Sequence, residues 1–285
     1  MNSAMKEDQV PPRTTLAEIE RVATELAALA GAEITNALGG ILAVRYKGPE
    51  EAEQMWQDPV SEVDQRVEEL IRSRLAERFP EHDVIGEESD FRPRRGGDFA
   101  WAVDPIDGTT NFVNGFPLCG CTIGVLHRGV PVAGAIWCGT SHALHPGIYH
   151  ASAGGTLRFN NHDVVPRYNP AVRRRLAGVP VPIPGRGGWE TRKTGSAAVE
   201  CAFVAAGILD AARFEQPNLW DVAGGVALVK AAGGSVLVQS GDTWQELERF
   251  ETSDGDLRSW RKPLIVGRLG MDALTSGFEL LAGAG

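Results

Sequence analysis

An apolar run with strand character, Phe99 to Val103, ends abruptly in Asp104-Pro-Ile-Asp-Gly108. Pro105 has no amide hydrogen and a fixed φ, so a regular strand ladder cannot continue through the two aspartates. Gly108 allows a close turn of the backbone, and the hydroxyls of Thr109 and Thr110 follow it. Two carboxylates fixed beside hydroxyls and backbone N–H groups can bind a hard cation and an anion, as metal-assisted phosphate chemistry requires. Taken alone, the segment is also typical of an aspartate-rich turn after a core strand.

Three other segments place acids at the ends of predicted elements. Val84-Ile-Gly-Glu-Glu-Ser89 ends a short strand in the adjacent carboxylates Glu87 and Glu88, which repel each other unless a cation neutralises them. Asp221 opens a helix of small residues and is either its N-cap or a ligand. Asp64 lies just before or inside the first turn of another helix. For Glu87 and Glu88, a solvated loop remains the alternative.

Together these segments resemble the inositol monophosphatase family of magnesium-dependent, lithium-sensitive phosphatases. The matching stretches follow the family's order over about residues 15 to 270, and they are Asp58-x-Val-Ser-x-x-Asp64, Gly86-Glu-Glu-Ser89, Asp104-Pro-Ile-Asp-Gly-Thr-Thr-Asn-Phe-Val-x-Gly-x-Pro117, Gly195-Ser-Ala-Ala-Val199 and Trp220-Asp-x-Ala-Gly224. The resemblance implies an α/β fold, an alternating αβαβα layered sandwich of the inositol monophosphatase/fructose bisphosphatase type. It also implies a homodimer.

The resemblance assigns roles to individual residues. Two or three Mg²⁺ ions would be held by Glu87, Asp104, the carbonyl of Ile106, Asp107 and Asp221. The catalytic residues would be Asp64, Glu87 and Thr109, with the Thr109 hydroxyl linked to Asp64 and orienting a metal-activated water. The phosphate would be bound by the backbone N–H groups of Gly108 and Thr109. The organic part of the substrate would contact Asp107, Gly195, Ser196, Ala197 and Glu215.

We therefore predict a magnesium-dependent phosphomonoester hydrolase that acts on an inositol 1-phosphate-like small molecule. The spacing from Glu215 to Trp220 is one residue shorter than is usual in the family, and Pro217 is unusual there. Histidinol phosphate, sugar phosphates and nucleotide 3'-phosphates therefore remain alternative substrates. Some bacterial relatives act in transcription-complex assembly, so a regulatory binding protein is the alternative from another class. The basic runs at 92–95 and 173–175 would be its contact surface.

Charge and residue distribution limit the partners that we expect. The net charge of -9 argues against nucleic-acid binding, and bound cations would offset its repulsion of a phosphate ester. No stretch has transmembrane length and no signal-peptide pattern begins the chain, so we expect no membrane partner and a cytoplasmic location. The four cysteines are predicted to be buried free thiols. His142, His145 and His150 lie around a predicted turn, which we favour over a transition-metal site.

The organisation of the chain is predicted in part from the resemblance and in part from residue patterns. Polar composition predicts a mobile tail over 1–14. The resemblance implies a first α+β subdomain, 15–145, with most metal ligands, and a second α/β subdomain, 146–285, with Asp221 and the substrate contacts. A capping box at Thr15-Leu-Ala-Glu18 predicts a helix to about Leu38, and a second helix ends at Phe79. The stretch 47–57 is predicted to be a mobile loop, and 150–190 has no readable period. Further predictions are strands near 82–86, 99–103, 119–127, 131–138 and 234–239 and helices at 195–208 and 221–232.

Overall fold

The computed structural model describes residues 10–40, 42–46, 59–89, 97–166, 169–173, 175–181 and 189–282. The helices of these ranges are α1 (Arg13–Ala37), α2 (Glu62–Arg78), α3 (Thr109–Val113), α4 (Ala197–Ala206), α5 (Leu219–Ala231) and α6 (Met271–Ala282), with a 3₁₀ turn at Leu257–Ser259. The strands are β1 (Val44–Tyr46), β2 (Pro59–Ser61), β3 (Asp83–Gly86), β4 (Phe99–Asp107), β5 (Gly120–His127), β6 (Val130–Cys138), β7 (Gly147–Ser152), β8 (Arg158–Phe159), β9 (His162–Asp163), β10 (Arg175–Gly178), β11 (Trp189–Arg192), β12 (Ala211–Phe214), β13 (Ser235–Ser240), β14 (Thr243–Glu246) and β15 (Leu264–Gly267).

Some predicted features lie outside the described residues. They are the first nine residues of the predicted tail, the predicted loop at 47–57, Asp58, the basic run at 92–95 and the middle arginine of the run at 173–175.

The elements form five alternating layers. Helices α1 and α2 pack on one face of a seven-stranded sheet with the order β3-β4-β5-β6-β7-β8-β9. Helices α4 and α5 lie between its other face and a six-stranded sheet with the order β11-β10-β12-β15-β13-β14. The far face of that second sheet packs against α6. The αβαβα sandwich is therefore confirmed.

Strand pairing is mostly antiparallel, as the lack of regular βα alternation predicts. The parallel pairs of the described ranges are β3 with β4 and β10 with both β11 and β12. The first sheet continues through β7, β8 and β9 to Asp163, so the boundary between the sheets comes later than residue 145. The hairpin between β5 and β6 turns at Arg128 and Gly129, as predicted.

Helix α1 shows where local sequence signals were wrong and where they held. It begins at Arg13, after Pro12, and has no side-chain cap, so the predicted capping box at Thr15–Glu18 does not form and the predicted tail is too long. The amide of Leu16 instead donates to the carbonyl of Pro12, whose φ of -53° already suits helix entry. The apolar face is as predicted, because period and burial agree along the helix: Leu16, Ile19, Val22, Ala23, Leu26, Ala27, Ala30 and Ile34 are all buried.

The cysteines are part of the core, and the three clustered histidines have separate hydrogen-bond partners. All four cysteines are buried and free, as predicted, and burial raises the pKa of the Cys121 and Cys138 thiols. The three clustered histidines point to different partners, since Nδ1 lies 2.7 Å from the Tyr149 hydroxyl in His142, 2.8 Å from the Pro146 carbonyl in His145 and 2.8 Å from Glu20 in His150. No helix in the part of the chain that the structure describes could span a membrane.

Three glycines bring α5 into close contact with the first sheet. A Cβ on Gly124 would lie 2.4 Å from the Gly224 amide nitrogen, and one on Gly134 would lie 2.3 Å from the Gly224 carbonyl oxygen. Real side chains cannot approach a backbone this closely, so only glycine permits the helix to sit here. This contact fixes α5, and with it Asp221, against the strand that follows Asp104 and Asp107.

We predict that Gly134→Ala lowers the free energy of unfolding by about 1–3 kcal/mol, because the added methyl group meets backbone that has nowhere to move. Urea unfolding followed by circular dichroism measures the change. The matched control is Gly270→Ala, since nothing lies within 4 Å of a Cβ at Gly270. Equal losses in the two variants would contradict the close-contact explanation.

Candidate active site

The irregular end of β4, Asp104 to Asp107, together with Gly108 forms a turn (the turn after β4), and it has the shape that its sequence predicts. The pairing of β4 with β5 is irregular between Asp104 and Asp107, on either side of Pro105. The Asp104 side chain accepts a hydrogen bond from the Ile106 amide at 3.0 Å, which fixes the carboxylate inside the turn. Gly108 has a φ of +86°, and a Cβ there would lie 3.1 Å from the Leu118 carbonyl oxygen. Both aspartates are buried, so the turn presents two carboxylates away from bulk water.

Two neighbouring elements bring further carboxylates to this turn. Strand β3 runs parallel to β4 and ends with Gly86 opposite Val103, so Glu87 follows directly beside Asp104. The Glu87 amide donates to the Val103 carbonyl at 3.3 Å, which continues the pairing by one residue. Asp221 comes from the first turn of α5. Four of the acids singled out from the sequence, Glu87, Asp104, Asp107 and Asp221, therefore lie close enough to repel one another.

That repulsion, together with burial, raises the pKa values of the aspartates. Burial, then repulsion by Glu87, Asp107 and Asp221, holds the pKa of Asp104 well above its usual range. Burial also raises the pKa of Asp107 to about 7, although hydrogen bonds from Ser196 and the Ala198 amide oppose the shift. The pKa of Asp221 rises to about 8 through burial and the charge of Asp107. These acids are therefore costly to ionise without a compensating positive charge.

The donor set suits a hard divalent cation. Burial and three acidic neighbours disfavour the ionised form of Asp104, and a bound cation would offset both effects. Carboxylate and carbonyl oxygens are the ligands that Mg²⁺ prefers, and the Ile106 carbonyl lies in the same turn. Within the described ranges, no three His, Cys, Asp or Glu side chains already form a closed metal cage. The residues supply the charge and the chemistry of a metal site rather than its finished geometry.

Asp107 and Asp221 also have structural hydrogen bonds that hold them in place. Asp107, the last residue of β4, accepts from the Ser196 hydroxyl at 2.7 Å and from the Ala198 amide. It therefore caps the start of α4, which is distant in the sequence. Asp221 is the third residue of α5 rather than its N-cap, a position that Asn218 occupies. Its carboxylate accepts from the Asn218 amide at 2.7 Å, completing a capping box.

The predicted link between Thr109 and Asp64 is present. The Thr109 hydroxyl lies 3.2 Å from Asp64 Oδ1 and 2.9 Å from the Ile106 carbonyl oxygen. Asp64 is the third residue of α2, and its other oxygen accepts from the amide and hydroxyl of Ser61. Burial raises the pKa of Asp64, and the hydrogen bonds from Ser61 oppose the shift. The Thr109 hydroxyl can thus donate either to the Asp64 carboxylate or to the Ile106 carbonyl of the turn.

A cavity of about 280 Å³ opens beside Asp221. Its lining includes all but one of the predicted substrate contacts, namely Gly195, Ser196, Ala197 and Glu215, while Asp107 touches it through Ser196. Glu215 is half-exposed, and its carboxylate pairs with Arg213 at 3.0 Å. The structure therefore brings the predicted residues together, while the substrate role of each stays a prediction.

Sequence reasoning missed several residues of this cavity. Glu200 is buried in its wall and accepts from the Thr194 hydroxyl at 2.8 Å, and burial raises its pKa to about 7. Asn111 ties the same loop to the β4 turn, because its side-chain amide donates to the carbonyls of Thr194 and Leu118. Lys193 and Arg213 add positive charge at the cavity. The only local signal for Glu200 is an acid inside an otherwise apolar helix.

Comparisons with known proteins agree with this geometry. A model of the inositol monophosphatase family matches residues 15–175 and 148–261. The phosphatase IMPL1 of Arabidopsis thaliana chloroplasts is 30% identical over 79% of this chain, which spans only 64% of that relative's length. A putative Nus factor SuhB of Neisseria meningitidis is 28% identical over 76% of this chain and 86% of the relative.

A solved structure shows the same fold. Inositol monophosphatase from Anabaena (Nostoc) superposes with a TM-score of 0.69 and 22% sequence identity, over 94% of this chain and 97% of that one. The family model covers more than half of the chain and includes each of the four acids around the β4 turn. The chain belongs to the inositol monophosphatase family.

Proposed function

We propose that the protein is a magnesium-dependent phosphomonoester hydrolase that acts on inositol monophosphate or a related small polyol phosphate. The observation that carries the proposal is the convergence of Glu87, Asp104, Asp107 and Asp221 next to the cavity lined by Ser196 and Glu215. Membership of a phosphatase family supports the hydrolytic chemistry. Homodimerisation and a cytoplasmic location stay predictions.

Each residue of the turn has a role in this reaction. Bound Mg²⁺ would neutralise the phosphate oxygens and make a water molecule a better nucleophile. The Thr109 hydroxyl, which donates to Asp64, would orient that water. As the water attacks, it would pass a proton to the Thr109 oxygen while Thr109 passes its own proton to the buried Asp64 carboxylate. The backbone N–H groups of Gly108 and Thr109 would hold phosphate oxygens. Because α3 has only five residues, a helix dipole would add little to this binding.

The cavity beside Asp221 suits a small hydrophilic alcohol. Its volume of about 280 Å³ admits a single ring or a short chain, and its lining includes both charged side chains and the ring of Phe214. Hydroxyl groups of a polyol could pair with Glu215, Arg213 and Lys193, which offer both donors and acceptors. Inositol monophosphate meets these requirements, and so do sugar phosphates.

A regulatory role has weaker support. The relative called a putative Nus factor suggests it, but Arg175 of the second basic run pairs with the Asp210 carboxylate at 3.1 Å. A basic side chain engaged in this way presents less free charge to a partner. We therefore favour hydrolysis.

The test is phosphate release from a panel of esters with and without Mg²⁺. The panel includes inositol 1-phosphate, a sugar phosphate, histidinol phosphate and a nucleotide 3'-phosphate. We expect Mg²⁺-dependent release that is fastest for the polyol esters. No release from any ester, with the protein folded by circular dichroism, would refute the proposal.

We predict that Asp104→Asn lowers kcat by about 100-fold or more at saturating Mg²⁺, because it removes a charged ligand from the centre of the site. In EDTA at pH 8, the same variant should be more stable to urea by about 1 kcal/mol, since it removes a carboxylate that burial and three neighbours disfavour. The control is Asp210→Asn, a partly buried aspartate paired with Arg175. Near-normal turnover in Asp104→Asn would contradict the metal assignment.

We also predict inhibition by lithium in the range of tens of millimolar. Li⁺ is a small hard cation that carboxylate oxygens accept, but it brings half the charge of Mg²⁺. Initial rates at fixed ionic strength, with NaCl as the control salt, measure the effect. Identical rates in the two salts would count against a site of this kind.

A further inference from the structure

Glu68 is a buried carboxylate that the proposed chemistry does not use. It lies on α2 and is 2% exposed, directly beneath Gly86 at the end of β3. A Cβ on Gly86 would lie 2.4 Å from the Glu68 carboxyl carbon, so the glycine leaves the space that this side chain fills. A buried acid on an amphipathic helix is costly unless something compensates for it. The burial of the Glu68 carboxylate therefore needs a structural explanation.

The contacts of Glu68 supply that explanation. One carboxylate oxygen accepts the Glu88 amide at 2.7 Å, and the other accepts Nε of Arg72 at 2.7 Å. The Arg72 guanidinium also donates to the Val84 carbonyl at 3.2 Å. Arg72 on the same helix thus neutralises the Glu68 carboxylate, and Glu68 fixes the backbone amide immediately after Glu87. A charge-assisted bond of this kind is among the stronger hydrogen bonds in proteins.

The same turn is held from its other end by the second half of the chain. Arg258, in the 3₁₀ turn, donates to the Ser89 carbonyl at 2.6 Å. Its guanidinium carbon lies 5.7 Å from the centre of the Trp220 ring, and Trp220 is the neighbour of Asp221. Arg258 therefore ties the turn after Glu87 to the helix that carries Asp221.

We propose that Glu68 and Arg258 are positioning residues that together hold the turn Glu87–Ser89, so that the Glu87 carboxylate stays beside Asp104 and Asp221. This inference rests on the proposed function, in which these carboxylates bind metal. Backbone hydrogen bonds at Glu88 and Ser89 fix the two residues that follow Glu87, and neither bond uses the Glu87 carboxylate.

The test measures metal binding directly, with Mn²⁺ as the probe and the electron paramagnetic resonance signal of free Mn²⁺ as the readout. We expect Glu68→Leu to weaken Mn²⁺ binding by about 10- to 100-fold, because the Glu88 amide loses its acceptor. Glu68→Gln keeps an acceptor oxygen and should bind nearly as tightly as wild type. The matched control is Glu20→Leu, which removes another largely buried carboxylate; Glu20 lies on α1 and pairs with His150 of β7.

Kinetics separate positioning from catalysis. For the ester that the substrate panel identifies, Glu68→Leu should raise the Mg²⁺ concentration needed for half-maximal rate by a similar factor. The KM for the ester, and kcat at saturating Mg²⁺, should change much less. Arg258→Leu should shift metal binding in the same direction, and as Arg258 is partly exposed, it tests the proposal even where Glu68→Leu does not fold.

The outcomes are distinguishable. Wild-type Mn²⁺ affinity in folded Glu68→Leu or Arg258→Leu would overturn the positioning role, as would equal loss of binding in Glu20→Leu. A wild-type protein that binds no Mn²⁺ and hydrolyses no ester would refute the proposed function, and the positioning role with it. Loss of metal binding in Glu68→Leu with retention in Glu68→Gln supports the proposal.

Discussion

Mutual repulsion among four carboxylates around the end of β4, of which Asp104 and Asp107 are buried, is the constraint around which the rest of the molecule is arranged. Asp104 is almost fully buried, and its neighbours raise its pKa together with burial. Such a group is unstable unless the surrounding backbone fixes it and a cation neutralises it. Each element near the turn contributes one of these restraints, and the layered fold brings them to one place.

The restraints reuse interactions that stabilise helix ends. Asp64 and Asp221 are both third residues of their helices and both complete capping boxes, with Ser61 and Asn218 respectively. Asp107 accepts from the first turn of α4. A structural and a functional interpretation of these acids are therefore compatible, because a capping bond uses some of the lone pairs of a carboxylate and leaves others.

The proposed catalytic and recognition groups come from different parts of the fold. The turn after β4 and the end of β3 belong to the first sheet, whereas Glu215 and Arg213 belong to strand β12 and the loop after it, in the second. The cavity wall can therefore change while the acidic centre stays the same. Such a division fits a family whose matched relatives here include a phosphatase and a putative Nus factor.

The sequence by itself determined the acids, their order along the chain, the buried face of α1 and the turn at Gly108, because each depends on local period or backbone chemistry. Helix starts were less certain: Pro12 replaced the predicted cap, and Asn218 took the position assigned to Asp221. Only the tertiary structure decided that Glu68 and Arg258 hold the turn after Glu87 and that Glu200 lines the cavity. These contacts join distant residues, such as Arg258 and Ser89, which are 169 positions apart. No local pattern encodes which distant partner a buried charge will meet, since that depends on how the layers pack.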